Sequence, residues 1–205
     1  MRILSIKYFN TNIEGPPVLL THAEDLSTLP FLARMTGSAG ELLLFISRTF
    51  VERTERGKCE GCRDGEYIGW IYHKHNGIAG VVICDQEYDR RVALTLIYKY
   101  MNIYENKTVN WDWETYNKDN SKIDDELQNL LIRFQSPKDQ DTITKINKDL
   151  EETRVTLHES IDKMLDRGTK IDTLVDKSDD LSRQSKIFYK KSKKLNNWCG
   201  SCIIS

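Results

Sequence analysis

Apolar and small residues recur at alternating spacings of three and four along the second half of the chain, as on one face of a long helix. The stripe comprises Ile143, Ile146, Leu150, Thr153, Leu157, Ser160, Met164, Arg167, Ile171, Leu174, Ser178, Leu181, Ser185, Phe188, Ser192 and Leu195. A sustained heptad seam of this kind drives helices into a coiled coil, because a lone helix cannot bury it. The pattern predicts a helical segment over roughly 139–196 that needs partner helices.

One position of this seam, Arg167, carries a charge where an apolar side chain is expected. A desolvated charge without a partner is strongly destabilising, so the partner helices must offer hydrogen-bond acceptors to it. Gly168 and the serine and threonine seam positions also weaken the helix. We therefore expect a motif that is loosely ordered alone and helical with partners.

The first half of the chain shows strand patterns instead. Residues 1–9 and 18–21 are rich in β-formers and are separated by a Gly-Pro-Pro turn. Residues 66–73 and 78–84 form a second pair of apolar runs. The dipeptide Asn76-Gly77 between them is a strong hairpin signal. These runs predict strands of one sheet.

A helix is predicted to begin at Ser38, because Ser38 followed by Glu41 has the spacing of a capping box. The apolar residues that follow cover more than one helix face, which indicates burial on two sides. We expect one side to pack on the sheet and the other to form a groove. The predicted groove residues are Leu42, Leu44, Phe45 and Ile46.

Two more helices are predicted, over 91–104 and from a cap at Ser121 and Asp124 to about residue 134. Pro137 ends the globular part, since proline disfavours helix at the preceding residue. The fold class is thus α+β with a long helical extension. The predicted organisation is a globular domain over 1–135, a linker over 136–142, a coiled-coil motif over 143–196 and a tail over 197–205.

Composition excludes several functions. The 30 basic and 31 acidic residues give a net charge of -1, so no global field attracts nucleic acid. No apolar run approaches the roughly 18 to 20 residues of a spanning helix, so membrane attachment would have to come from modification. Five cysteines without framework spacing, and no leader before them, indicate a reducing cytosol.

Catalytic and metal-binding signals are weak. Cys59 and Cys62 have a ligand spacing, and His73 and His75 follow them, but one residue between the histidines is shorter than zinc sites use. No acid, base or nucleophile constellation surrounds Arg167. We therefore expect no metal site, no cofactor and no enzymatic activity.

The last four residues, Cys202 to Ser205, form a prenylation signal, and the final serine favours farnesyl. One lipid chain binds membranes only marginally, so a second signal is needed. Cys199 is a candidate for palmitoylation, although two residues separate it from Cys202. A basic run without an acid is a candidate for contact with anionic headgroups; it comprises Arg183, Lys186, Lys190, Lys191, Lys193 and Lys194.

These motifs together resemble the lipid-anchored longin-type R-SNAREs, the YKT-type synaptobrevin homologues. The resemblance runs from end to end of the chain. It is carried by Met1-Arg2-Ile3, Glu66 to Gly69, Gly77-Ile78 through Asp85 with Glu87-Tyr88, Leu157-His158, Arg167-Gly168, Leu174 to Ser178 and the final Cys-Ile-Ile-Ser. It implies a profilin-like longin domain, with a five-stranded antiparallel sheet flanked by three helices, followed by a SNARE motif. In such a motif one arginine faces three glutamines from partner Q-SNAREs, and Arg167 falls on that position.

The resemblance implies a function in intracellular vesicle fusion, including transport between the ER and the Golgi. The chain would contribute one helix to a four-helix bundle, while the longin domain holds the motif or the lipid chain in a closed state. It would be cytoplasmic and peripheral on endomembranes such as Golgi, vesicles, endosome or vacuole. Two alternatives stay open: a coiled-coil adaptor without fusion activity, and acyl transfer by the longin domain, for which Cys84 is the only candidate nucleophile.

Overall fold

The computed structural model describes residues 2–27, 29, 37–108, 116–120, 122–135, 154–165 and 168–199, with backbone alone for 194–199. The described strands are β1 (Ile3–Asn10), β2 (Val18–Glu24), β3 (Cys59–Asp64), β4 (Tyr67–His73), β5 (Ile78–Asp85) and β6 (Val155–His158). The described helices are α1 (Ser38–Arg53), α2 (Arg90–Lys107), α3 (Asp125–Phe134), α4 (Ile161–Met164), α5 (Ile171–Lys177) and α6 (Arg183–Cys199).

One six-stranded sheet organises the fold, in the order β2-β1-β5-β4-β3-β6. The first five strands in the chain pair antiparallel with their neighbours. With α1, α2 and α3 they confirm the predicted α+β domain of five antiparallel strands and three helices. The sixth strand comes from the second half of the chain and lies parallel to β3.

The sheet is buried on both faces. All eight residues of β1 are buried, because β1 lies between β2 and β5 and is covered from both sides. Along β5, Val82 and Cys84 belong to one core and Val81 and Ile83 to the other, as the period of a strand requires. The first core includes residues of α2 and α3; the second includes residues of α1 and of the ranges 161–165 and 171–189.

Local sequence explains most element boundaries. Gly77 adopts φ 83° in the β4–β5 turn, where the Lys74 amide donates to the Ile78 carbonyl oxygen at 2.9 Å. Asp89 caps α2 by accepting hydrogen bonds from the amides of Arg91 and Val92. Asp124 caps α3 in the same way, by accepting from Leu127.

The predicted capping box at Ser38 is wrong. Helix α1 begins at Ser38 itself, and its N-cap is Gly37 at φ 69°, without a side-chain hydrogen bond. The Glu41 carboxylate accepts hydrogen bonds from the distant Ser182 and Ser185 instead. The Glu41 side chain, which the local pattern assigned to the start of α1, therefore binds residues that are distant in sequence.

The second half of the chain departs from a single continuous helix within its described residues. Val155–His158 is a strand, and the helical part is divided into α4, α5 and α6. Two β-branched residues, Val155 and Thr156, favour the extended form here. Their pairing also satisfies the free edge of β3, which would otherwise present unpaired backbone groups. The seam positions Ile143, Ile146, Leu150 and Thr153 lie outside the described residues.

Candidate functional site

The described residues 154–165 and 168–199, here called the C-terminal segment, cover one side of the first domain. They pack on α1 and on the face of the sheet that belongs to the second core, and we call this surface the docking face. The buried side chains of the segment are Ile161, Met164, Leu165, Ile171, Val175, Leu181, Ser185 and Tyr189. The site is thus an intramolecular interface between the two halves of the chain.

The predicted seam supplies half of this interface. Met164, Ile171, Leu181 and Ser185 are buried, and Leu174 and Phe188 are partly buried against the same core. Leu157 remains 38% exposed on β6. Ser160 and Ser178 flank short helices, and Ser192 donates to the Phe188 carbonyl oxygen. Arg167 and the side chain of Leu195 lie outside the described residues.

Sequence analysis missed the other half of the interface. Ile161, Leu165, Val175 and Tyr189 each directly follow a seam position, and all four are buried. Their packing widens the buried stripe to one side of the seam. Apolar residues next to the seam are the signal that could have found them, since a strict coiled coil needs only the narrower stripe.

Strand β6 attaches the segment to the sheet edge. It pairs with β3 in parallel, from Val155 opposite Cys59 to His158 opposite Cys62. The His158 Nε2 lies 2.8 Å from the Glu60 Oε2, which adds a side-chain contact across the two strands. Backbone pairing and this polar contact together fix the register of β6.

Helix α6 is fastened to α1 through Glu41. The Oε2 atom of Glu41 accepts hydrogen bonds from the Ser182 amide at 3.1 Å and from the Ser185 hydroxyl at 2.6 Å. Burial by itself would raise the pKa of Glu41, but these hydrogen bonds to the carboxylate outweigh it and lower the pKa. Ser185 is a seam residue, so Glu41 holds a position that a coiled-coil partner would otherwise cover.

A cavity of about 480 Å³ remains between the segment and the docking face. From α1 it is lined by Leu42, Leu43, Ile46 and Phe50; Ile161, Phe188 and Tyr189 close it from the other side.

A side chain at Gly69 would clash with Phe50, since a Cβ there would lie 2.3 Å from the ring, so this glycine lets α1 approach the sheet.

The four predicted groove residues divide into two pairs. Leu42 and Ile46 line the cavity. Leu44 and Phe45 are partly buried against the second core but do not line the cavity. Leu43 and Phe50, which sequence analysis did not select, take their place. The period of the helix explains this outcome, because residues 42, 43, 46 and 50 lie on one face.

Among the described residues, the cysteines of the first domain belong to no group of three or more side chains that could hold a metal ion. Cys59 belongs to the first core and Cys62 to the second. Both ring nitrogens of His73 are used in hydrogen bonds with Thr11 and Thr54. Burial raises the pKa of Cys84 to about 12, so this thiol is protonated at neutral pH and is a poor nucleophile for acyl transfer.

The residues predicted to carry lipid lie at or beyond the limit of the described chain. Helix α6 ends at Cys199, whose side chain is outside the described part, as is all of Cys202. Within the residues that the structure describes, no helix has both the length and the apolar character to cross a bilayer.

Both halves of the chain match known families. The family described as "Synaptobrevin" matches residues 142–200. The family described as "Regulated-SNARE-like domain", of the longin group, matches residues 29–129. The two matches fall on the C-terminal segment and on the domain that carries the docking face.

Individual relatives match nearly the whole chain. A protein of Yarrowia lipolytica named "Synaptobrevin homolog YKT6" is 39% identical over 183 residues, which cover 89% of this chain and 90% of the relative. A Saccharomyces cerevisiae protein of the same name is 36% identical over 200 residues, or 97% of this chain and 98% of the relative. The chain therefore belongs to the YKT6 family of longin-type R-SNAREs.

Proposed function

We propose that this chain contributes one helix to a four-helix bundle that drives fusion of intracellular vesicles. Support comes from family membership and from the seam, which runs at coiled-coil spacing from Ile143 to Leu195. Three glutamine-bearing helices from Q-SNAREs would cover the seam. Folding of the motif against these helices supplies the work that draws two membranes together.

In this proposal Arg167 forms the central layer of the bundle. Its guanidinium carries five N–H donors, and three glutamine carbonyl oxygens would accept hydrogen bonds from it in a layer closed to water. An adaptor without fusion activity would have no need of a charge at this seam position. Arg167 is therefore the residue that separates the two functions.

The longin domain would regulate the bundle by holding the motif in a closed state. The observation that carries this part is the burial of the seam residues Met164, Ile171 and Leu181 against the docking face. The same side chains cannot pack in a bundle and on the docking face at once. Assembly with Q-SNAREs thus requires the C-terminal segment to leave the domain, including β6 from the edge of β3.

A lipid anchor would attach the opened chain to the cytosolic face of endomembranes. Cys202 is the proposed prenyl acceptor and Cys199 the proposed palmitoyl acceptor. The cavity behind α1 has the volume of a ligand pocket and a largely aliphatic and aromatic lining, which suits a lipid chain in the closed state. If Cys202→Ser leaves the membrane-bound fraction in cells unchanged, the anchor has to be sought elsewhere.

The closed state can be tested from the domain side, which leaves the seam intact. Ile46→Glu places a charge in the cavity and should release the segment, so the rate of assembly with Q-SNAREs rises about tenfold or more. Ile132→Glu is the matched control, because Ile132 is 59% exposed on α3. Equal assembly rates for both variants would contradict the closed state.

The central layer has its own test. Arg167→Gln should weaken assembly with partners that offer three glutamines, and changing one of those glutamines to arginine should restore it. Lipid mixing between reconstituted vesicles gives the readout. An Arg167→Gln variant that mixes lipids normally would favour the adaptor function.

A further inference from the structure

Two aspartates of α5 hold the basic side chains of α6. Asp172 and Asp176 lie one turn apart on α5. The Lys193 Nζ lies 2.6 and 2.7 Å from the two Asp172 carboxylate oxygens, and the Lys190 Nζ lies 2.8 Å from Asp176 Oδ1. The Tyr189 hydroxyl also donates to Asp172, at 2.6 Å. The α5 helix thus neutralises part of a helix that carries no acid of its own.

Other basic groups of α6 face outward. Arg183 and Lys191 are exposed, and neither forms an ion pair within the part of the chain that the structure describes. Ile187 lies between them at spacings of four residues and is 45% exposed. The helix therefore presents a basic outer face with an apolar side chain at its centre, while Lys190 and Lys193 are held by α5.

We propose that the basic face of α6 binds anionic phospholipid bilayers, and that Asp172 and Asp176 mask part of it by competing with lipid headgroups for Lys190 and Lys193. This inference rests on the proposed function, because the α5–α6 contacts belong to the closed state. A lone exposed isoleucine flanked by cations suits an interface in which apolar groups enter the acyl boundary and cations meet phosphates. The net charge of -1 gives no global attraction, so binding must come from this local surface.

The competition is closely balanced. The Lys190 and Lys193 side chains are 59% and 43% exposed, so water screens their pairs with Asp176 and Asp172 and each pair is weak. Attraction of one lysine to an anionic leaflet is of similar strength. A membrane rich in anionic lipid would therefore displace α5 from α6, whereas a neutral membrane would leave the two helices together.

The test uses the full chain with Cys202→Ser, so that no prenyl group contributes to binding. Flotation with phosphatidylcholine vesicles, with and without phosphatidylserine, measures the bound fraction. Asp172→Asn with Asp176→Asn should raise the affinity for phosphatidylserine vesicles about fivefold and leave phosphatidylcholine vesicles unbound. The control is Asp179→Asn with Glu87→Gln, which changes the net charge equally at exposed positions. Equal affinities for the two double variants would overturn the proposal.

A second pair of variants identifies the masked lysines. The gain from the aspartate substitutions should disappear when Lys190→Gln and Lys193→Gln are added. It should persist when Arg183→Gln and Lys191→Gln are added, although total binding falls. Soluble glycerophosphoserine should not compete, because the proposed partner is the bilayer surface. A gain that survives removal of Lys190 and Lys193 would overturn the proposal.

Hydrogen exchange at the β6 amides separates this inference from the proposed function. Protected Val155–His158 amides in the parent chain and in the aspartate variant mean that the closed state is intact and that binding reports the mask. Loss of protection in the aspartate variant alone would show that opening, rather than unmasking, caused the gain, and would overturn the masking proposal. Absence of protection in the parent chain would overturn the proposed closed state itself.

Discussion

The five-stranded domain and the C-terminal segment differ in how firmly their strands and helices are held in place. In the domain, β1 and β5 are eight residues long, and all residues of β1 are buried in the middle of the sheet. In the segment, β6 has four residues at a sheet edge, and three short or medium helices follow it. Long paired strands with two covered faces resist local opening, whereas a short edge strand can leave at a lower cost, because Val155 is the one residue of β6 that packs against the first core.

The polar contacts show the same difference. Two of the three domain helices, α2 and α3, are each capped by the preceding aspartate and pack on the first core through apolar side chains. Helix α6 has its polar contact with the domain through one carboxylate of α1, Glu41, and packs Phe188 and Tyr189 beside the cavity. The domain helices are therefore capped locally and packed on the first core, whereas the attachment of α6 to the domain uses a single carboxylate.

A cavity in the first core should have the largest effect. Leu96→Ala removes a fully buried side chain of α2, and the expected loss is about 3 kcal/mol in the free energy of unfolding of the whole domain. Urea denaturation followed by circular dichroism measures it. Ile132→Ala on α3 serves as the exposed control, with an expected change of less than about 0.5 kcal/mol. If Leu96→Ala only loosened the C-terminal segment, the two regions could not be distinguished.

A cavity in the segment should have a smaller and more local effect. Leu181→Ala removes a buried seam side chain, and we expect about 2 kcal/mol less stability for docking, with no change in the unfolding of the domain. Hydrogen exchange should show faster exchange at Val155–His158 and across α6, while β1 and β5 stay protected. Ile187→Ala, at an exposed position on the adjoining helix α6, is the control. Slower exchange or a lowered domain stability would argue against separate units.

The five-stranded domain was easier to predict from sequence than the C-terminal segment. Asn76-Gly77 specifies the β4–β5 hairpin locally. The apolar runs of β1, β4 and β5 are stable where both faces of a strand are covered, which is at the centre of a sheet. The missed strand, β3, contains two cysteines, a glycine and three charged residues, so it has no clear apolar alternation. Its conformation is fixed by the strands on either side of it.

The candidate site was predicted less completely, because the same apolar residues of the C-terminal segment can be buried against more than one surface. Heptad spacing identified Met164, Ile171 and Leu181 as residues to be buried, and they are buried. The pattern could not choose between partner helices and the docking face, since both offer an apolar surface. It also could not show that Glu41 would bind Ser185, because 144 residues separate the two.

Lowering the pH should affect the domain and the docking of the segment separately, because His73 in the domain and Glu41 at the interface titrate over different pH ranges. The pKa of His73 in β4 is lowered, chiefly by burial, against the hydrogen bond from its ring to Thr54. A lowered histidine pKa means that the unfolded chain binds the proton more readily, so the domain is at full stability above pH 6.5 and loses stability as pH falls below it. The pKa of Glu41 is also lowered, so its contribution to docking is complete above pH 4.5 and is lost only as pH falls further.

Between pH 7 and pH 5, therefore, the stability of the domain should fall slightly while the Glu41 contact is unchanged. Denaturant titrations at several pH values give the first quantity, and exchange rates at α6, corrected for intrinsic pH dependence, give the second. His73→Asn should reduce the fall in domain stability because it removes one of two rings whose pKa is lowered by burial, the other being His22 in β2. A fall of the same slope in that variant would assign the acid sensitivity to another group, and loosening of α6 above pH 5 would mean that docking depends on a titration other than that of Glu41.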